Sequence, residues 1–111
     1  MPRVLNKYHG KVPADAIDIM RGTKWGNDWS HQPRSRAKFI VKTRAEAVIA
    51  HRLWFLTSDE PAAVELRRLA RLTPAEGGLR GADCFCCCAP LPCHGDVLVE
   101  YANRSRPFGG R

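Results

Sequence analysis

Nine consecutive residues, Cys86-Cys87-Cys88-Ala89-Pro90-Leu91-Pro92-Cys93-His94, hold four of the chain's five cysteines beside a histidine, with Gly95 and Asp96 next. Thiolate and imidazole are the side chains best suited to nucleophilic attack at neutral pH and to soft metals. Three uses fit this segment. In a catalytic use, Cys93 is the nucleophile at a helix start, where unpaired amides and the helix dipole stabilise a thiolate and favour bound anions. His94 then moves protons, Asp96 caps the helix or orients the site, and Cys88 resolves or assists. In a metal-binding use, Cys86, Cys88, Cys93 and His94 offer zinc four nitrogen and sulfur ligands, although the adjacent Cys93 and His94 make a tight chelate and the spacing falls short of a zinc-finger signature. In the third, small cysteines pack a strand while His94 and Asp96 cap a helix.

A second constellation is Arg21-Gly22-Thr23-Lys24-Trp25-Gly26-Asn27. Here Arg21 and Lys24 can neutralise a phosphate or carboxylate, Asn27 can hold a base or amide, and Trp25 can stack on a ring. The plainer alternative is a loop anchored by a core Trp25, with Gly26 and Asn27 turning the chain and Lys24 solvated. Trp29 and Trp54 read as packing residues, and His9 and His51 as structural or solvated ones.

The elements that must position these groups follow from periodicity and punctuation. Arg3 to Asn6 and Ala16 to Met20 read as strands, with Phe39 to Val41 as an edge strand and Ala82 to Cys87 as the strand entering the cysteine segment. Thr43 with Glu46 is a capping box opening a helix to about Leu56, whose inward stripe reads as Ala45, Val48, Ile49, Leu53 and Leu56, with Arg44 and Arg52 toward solvent. Ser58 and Pro61 open a second helix with Ala63, Leu66, Leu69 and Ala70 inward, stopped by Thr73-Pro74. Flexible Glu76-Gly77-Gly78 follows. Asp96 to Asn103 forms the last helix, with Val97, Leu98, Tyr101 and Ala102 inward.

The order strand, strand, helix, helix, strand, helix predicts an α/β sandwich: a three- to four-stranded, partly parallel sheet with helices packed on it. Strand alternation puts Cys84, Cys86 and Cys88 on one face and Phe85 and Cys87 on the other. Ligands in open α/β sheets gather at the carboxyl ends of strands. If the second strand and the cysteine strand run parallel, the Arg21–Asn27 loop and the cysteine loop therefore meet in one pocket.

At 111 residues the chain predicts one domain over residues 1–103 and a basic flexible tail over residues 104–111, which excludes a multidomain mechanism. Eighteen Lys and Arg against eleven Asp and Glu give a net charge of +7, which favours nucleic acid or a phosphorylated small molecule as partner. The charge is spread over Arg34, Arg36 and Lys38, over Arg67, Arg68 and Arg71, and over the tail, a pattern more often of solvated faces than of a specific nucleic-acid footprint. Odd in number and crowded, the cysteines read as reduced thiols. The start has no apolar h-region and no stretch is long enough for a membrane span, which points to the cytoplasm.

Several motifs resemble a family found in bacteria and phages and known as domain of unknown function 4326. They are Val4-Leu5-Asn6-Lys7 with His9-Gly10, Arg21 to Asn27, the helix entered through Arg44 and Glu46, and above all Cys86 to Leu98. The resemblance spans most of Val4 to Asn103. It departs where relatives carry an aromatic residue at the position of Cys87 and a proline at the position of Asp28, and Cys84 looks like an addition to the family pattern, which sets Cys84 and Cys87 outside the shared chemistry. The Cys-His pair at a helix start is also similar to that of domain of unknown function 488, which implies an α/β fold with a site there. The expectation is a Cys/His site that acts on or binds a nucleotide, nucleobase or nucleic-acid-linked ligand. The alternatives are a zinc-stapled module for nucleic acid or protein, and a phage protein that occupies a host protein with purely structural cysteines.

Overall fold

Capping chemistry sets the helix boundaries in the computed structural model, which describes residues 2–8, 10–30, 32, 37–87 and 93–104. Helix α1 (Arg44–Thr57) opens with the expected capping box. Glu46 N–H donates to Thr43 Oγ1 at 3.1 Å, and Thr43 N–H donates to Glu46 Oε1 at 3.0 Å. Helix α2 (Pro61–Ala70) carries proline in its first turn, where a missing N–H costs nothing. A single 3-10 turn (Pro74–Glu76), closed by a second box between Thr73 and Glu76, replaces the expected start of a flexible stretch. Helix α3 (His94–Asn103) begins two residues earlier than its apolar periodicity suggests, because Cys93 takes the N-cap position.

Strand β5 (Cys84–Cys86) is the middle of a three-stranded sheet, between β1 (Val4–Asn6) and β2 (Ile17–Asp18), and both pairings are parallel. A middle strand is covered on both faces, which suits small side chains on the face a helix must approach. Cys84 and Cys86 share that buried face while Cys87 is exposed, as strand alternation requires. Helix α3 packs across β1 and β5, and α2 packs on α1 and α3. The expected edge strand exists as β4 (Phe39–Ile40), but it pairs with β3 (Trp29–Ser30) in a separate parallel ribbon rather than joining the main sheet. Strand β3 lies in a polar stretch that reads as loop from sequence. Its two residues are too few to show a period.

Helix α1 turns a different face inward from the one its aliphatic residues suggest. Ala47, His51 and Phe55 are buried, whereas Ala45 is exposed and Ile49 and Leu53 are 56% and 58% exposed. Apolar residues occur nearly all round this helix, so period alone does not choose a stripe. The burial of Phe55 and the close approach that Ala47 allows decide the rotation. Phe55 meets the Tyr101 ring edge-on at 5.3 Å, fixing α1 against α3. The inward faces expected for α2 and α3 are the observed ones, with Ala63, Ala70, Val97, Leu98 and Ala102 buried.

Much of the basic charge holds helices together. Arg67 donates to the Phe55 and Ser58 carbonyls at 2.7 and 2.8 Å, Arg71 to the Tyr101 carbonyl at 3.1 Å, and Arg68 pairs with Glu65. The Arg67 and Arg71 guanidiniums satisfy carbonyls at helix ends that have no partner within the helix. The cluster is therefore largely spent on the fold. No helix among the described residues is long and apolar enough to cross a membrane.

Candidate functional site

Because β2 and β5 run parallel, their carboxyl ends leave the sheet at the same edge, and the two loops that follow lie side by side. One hydrogen bond locks them together. His94 Nε2 lies 2.6 Å from the carbonyl oxygen of Ile19, a residue just past β2 and 75 positions away in sequence. A carbonyl only accepts, so Nε2 carries the proton in this bond. Gly95 makes the close approach possible. A Cβ there would stand 2.6 Å from Ile19 Cδ1 and 3.1 Å from both Val4 methyls, so any side chain would force these packed side chains to shift.

The result is a cleft of about 450 Å³ between the two loops and the start of α1. Met20, Arg21, Asn27, Trp29 and Ser30 form one wall, Cys86, Cys87, Cys93 and His94 another, and Arg44, Ala47 and Val48 the third. Its floor is protein core: Cys86 and Cys93 are 1% and 2% exposed. Their sulfurs are 3.3 Å apart. Cys93 Sγ also accepts the Gly95 N–H at 3.3 Å, and the Asp96 carboxylate accepts the Cys93 N–H at 3.1 Å. An amide donor and the first turn of a helix both favour negative charge on the Cys93 sulfur. Asp96 here caps the helix. Cys84 is different: burial, with help from Asp83 and then Cys86, pushes its thiol up to about 12, which makes it an inert core residue.

The cleft is cationic. Arg21 and Arg44 line it, and no Asp or Glu stands among its described lining residues. Arg21 donates through Nε to the Asn27 carbonyl at 2.9 Å and through Nη2 to the Trp29 carbonyl at 3.1 Å, which clamps the loop and sets the guanidinium at the cleft wall. The Arg44 guanidinium has no ion-pair or hydrogen-bond partner among the described residues. It is the cation that sequence reasoning assigned to solvent. Its place in the first turn of α1 was visible, but not that this turn abuts the β2 loop.

The other ligand-binding candidates are placed differently. Trp25 is buried in the core beside Ile19 and Leu98 rather than facing the cleft, because its large apolar surface anchors the loop. Lys24 lines a separate groove with Lys38, Asp28 and Glu60, and its ammonium lies 5.7 Å from the Trp25 ring centre. The pocket joining both loops thus forms without Lys24, and Arg44 supplies the second cation. Asn27 lines the cleft, yet its amide is spent on structure: Nδ2–H donates to the Ala47 carbonyl at 3.1 Å and Oδ1 accepts the Trp29 N–H at 2.8 Å. Cys88 lies outside the described residues. Among the described residues no group of three His, Cys, Asp or Glu side chains is arranged to hold a metal ion, and the four-ligand zinc set includes Cys88, which lies outside them.

His51, which reads as an incidental helix histidine, sits behind the site. It is 2% exposed, stacks on Phe55 at 6.0 Å and meets the His94 ring edge-on at 5.3 Å. Its Nδ1 is buried and has no hydrogen-bond partner among the described residues. Burial first, and the neighbouring His94 second, lower its pKa to about 3, so it is neutral wherever the protein normally works. The spacing Ala47, His51, Phe55 was the available signal, one helical stripe through three turns.

The chain matches the model of a domain of unknown function, DUF4326, over residues 4–104. It belongs to this family. A relative from Enterobacteria phage T4, described as an uncharacterized 12.4 kDa protein in the nrdA-td intergenic region, is 31% identical over 102 residues, which is 92% of this chain and 78% of the relative. No solved structure matches the chain. The DUF4326 region contains every lining residue of the cleft, so the whole site lies inside the shared domain.

Proposed function

We propose that this protein binds an anionic, ring-bearing small molecule, of which a nucleotide is the best-fitting class, and that Cys93 and His94 act on it. The observation that carries this reading is the cleft itself, where two arginines, an indole and a Cys-His pair converge in about 450 Å³ without an opposing carboxylate among the described lining residues. That volume falls in the range of small-molecule sites. Arg21 and Arg44 hold the phosphate, as planar guanidiniums hold oxyanions through paired N–H groups. Trp29 and the polar groups of Ser30 and Gln32 face the rest of the ligand. Cys93 supplies the nucleophile, and His94 takes up and returns its proton. A reducing compartment such as the cytoplasm would keep the thiols in this form.

Polynucleotide is a weaker fit, since Arg67 and Arg71 are occupied by helix carbonyls and Arg68 by Glu65. The test uses the reduced full chain. Nucleoside 5′-monophosphates are titrated while indole fluorescence is followed, and the rate of Cys93 alkylation by iodoacetamide is mapped by peptide mass with and without them. Saturable binding that protects Cys93, retained in Cys93→Ser, is the expected result. Absence of both binding and protection at millimolar nucleotide would remove the proposal.

A further inference from the structure

Two sulfurs in contact at the bottom of a cleft can do more than one of them alone. We infer that Cys86 and Cys93 are a peroxide-sensitive dithiol, which closes to a disulfide and thereby switches off the site. The inference rests on the reading of Cys93 as the reactive thiol of the cleft and adds a regulation to it.

The pair is singled out by placement. The sulfurs stand 3.3 Å apart, on the last residue of the middle strand and on the N-cap of α3. A disulfide bond is about 2.0 Å long, so closure asks for a relative movement of only a little over 1 Å. Both residues line the cleft although each is nearly fully buried, so a reagent reaches them by way of the cleft. The remaining described cysteines lack this combination. Cys84 is sealed in the core with its thiol pushed up to about 12, and Cys87, although it also lines the cleft, is exposed rather than part of its buried floor.

The chemistry balances with hydrogen peroxide as oxidant. Cys93 sulfur, as thiolate, attacks one peroxide oxygen: the S–O bond forms, the O–O bond breaks, and the leaving oxygen departs as water after taking up a proton. Cys86 sulfur then attacks the sulfenic sulfur of Cys93. The S–S bond forms, the S–O bond breaks, and a second water leaves with the Cys86 proton. Two electrons pass from the sulfurs to the peroxide, and a dithiol reductant returns them. The Gly95 amide that favours charge on Cys93 makes it the attacking sulfur, with Cys86 as the resolving one.

The experiment treats the reduced full chain with one equivalent of hydrogen peroxide, blocks remaining thiols and maps disulfides by peptide mass. A Cys86–Cys93 linkage that dithiothreitol reverses is expected. In Cys86→Ser, where resolution is blocked, dimedone should instead tag Cys93. Wild-type mapping needs no variant, so a folding defect in Cys86→Ser does not cloud it. Linkage of Cys93 to Cys87 or Cys88, or direct over-oxidation of Cys93 with Cys86 still free, would overturn the inference. Nucleotide titration of the reduced protein is read separately, so the ligand reading can fail while the linkage forms, and the reverse.

Discussion

Trp29 borders two concavities, and their chemistry is opposite. On one side lies the cleft of about 450 Å³ with Arg21, Arg44, Cys93 and His94; on the other lies a groove of about 520 Å³ with Lys24, Lys38, Asp28 and Glu60. The larger groove balances its charges among its described lining residues. Its Glu60 already accepts the Trp54 indole N–H at 2.5 Å, and its Phe39 stacks on Trp29 at 5.1 Å. The smaller one keeps uncompensated cations above a floor made of core residues. Size and aromatic surface therefore do not single out the concavity proposed as the site. Unbalanced charge joined to reactive groups does, because a folded chain tolerates such an arrangement at a cost that a ligand can offset.

If the cleft's floor is truly core, perturbing it must cost stability, and the largest effect should be acid-dependent. His51 is neutral in the fold, whereas the unfolded chain protonates it below its ordinary value of 6.5. Stability is therefore lost as pH falls from about 6.5 toward 3, by up to roughly 5 kcal/mol from this group. Urea unfolding at several pH values should give a flatter profile for His51→Phe than for the wild type. Equal slopes would mean that His51 is not sealed behind His94.

Next in size is Gly95→Ala. Its Cβ would collide with Ile19 and Val4, with an expected loss of about 1–3 kcal/mol. Thermal melting reads that loss, and fluorescence should show weakened nucleotide binding, because α3 carries both Cys93 and His94. An Ala variant as stable as the wild type would break the claim that tight packing sets the site.

A smaller effect sharpens the charge argument. Arg44→Gln should weaken nucleoside monophosphate binding about tenfold, roughly 1.4 kcal/mol, with melting nearly unchanged, since Arg44 has no structural partner among the described residues. Arg21 is the poorer probe because it also clamps its loop. The smallest effect belongs to the other groove: Lys24→Gln and Lys38→Gln should shift stability by less than about 0.5 kcal/mol and leave binding as it was. Binding lost with Lys24 and retained without Arg44 would reverse the assignment of the two concavities.

What could be read from the residues alone was the local chemistry. The Thr43–Glu46 box, the proline at the head of α2, the inward faces of α2 and α3 and the alternation through Cys84–Cys87 depend on neighbours within one or two turns, so composition and spacing carry them. The Cys93-His94 pair was legible for the same reason. Three other features were not. Helix α1 could have buried either of two apolar faces, and contact with α3 through Phe55 selected the one that brings His51 behind His94. Arg44 became a cleft residue only because the first turn of α1 meets the β2 loop, and Trp25 left the candidate site because the core needed its ring. Each outcome depends on which distant segments pack together, here through a parallel pairing of β2 with β5 and a hydrogen bond that spans 75 residues. Sequence specified which groups could react, and tertiary packing decided which of them meet, because burial energy is shared by the whole core while side-chain chemistry belongs to each residue alone.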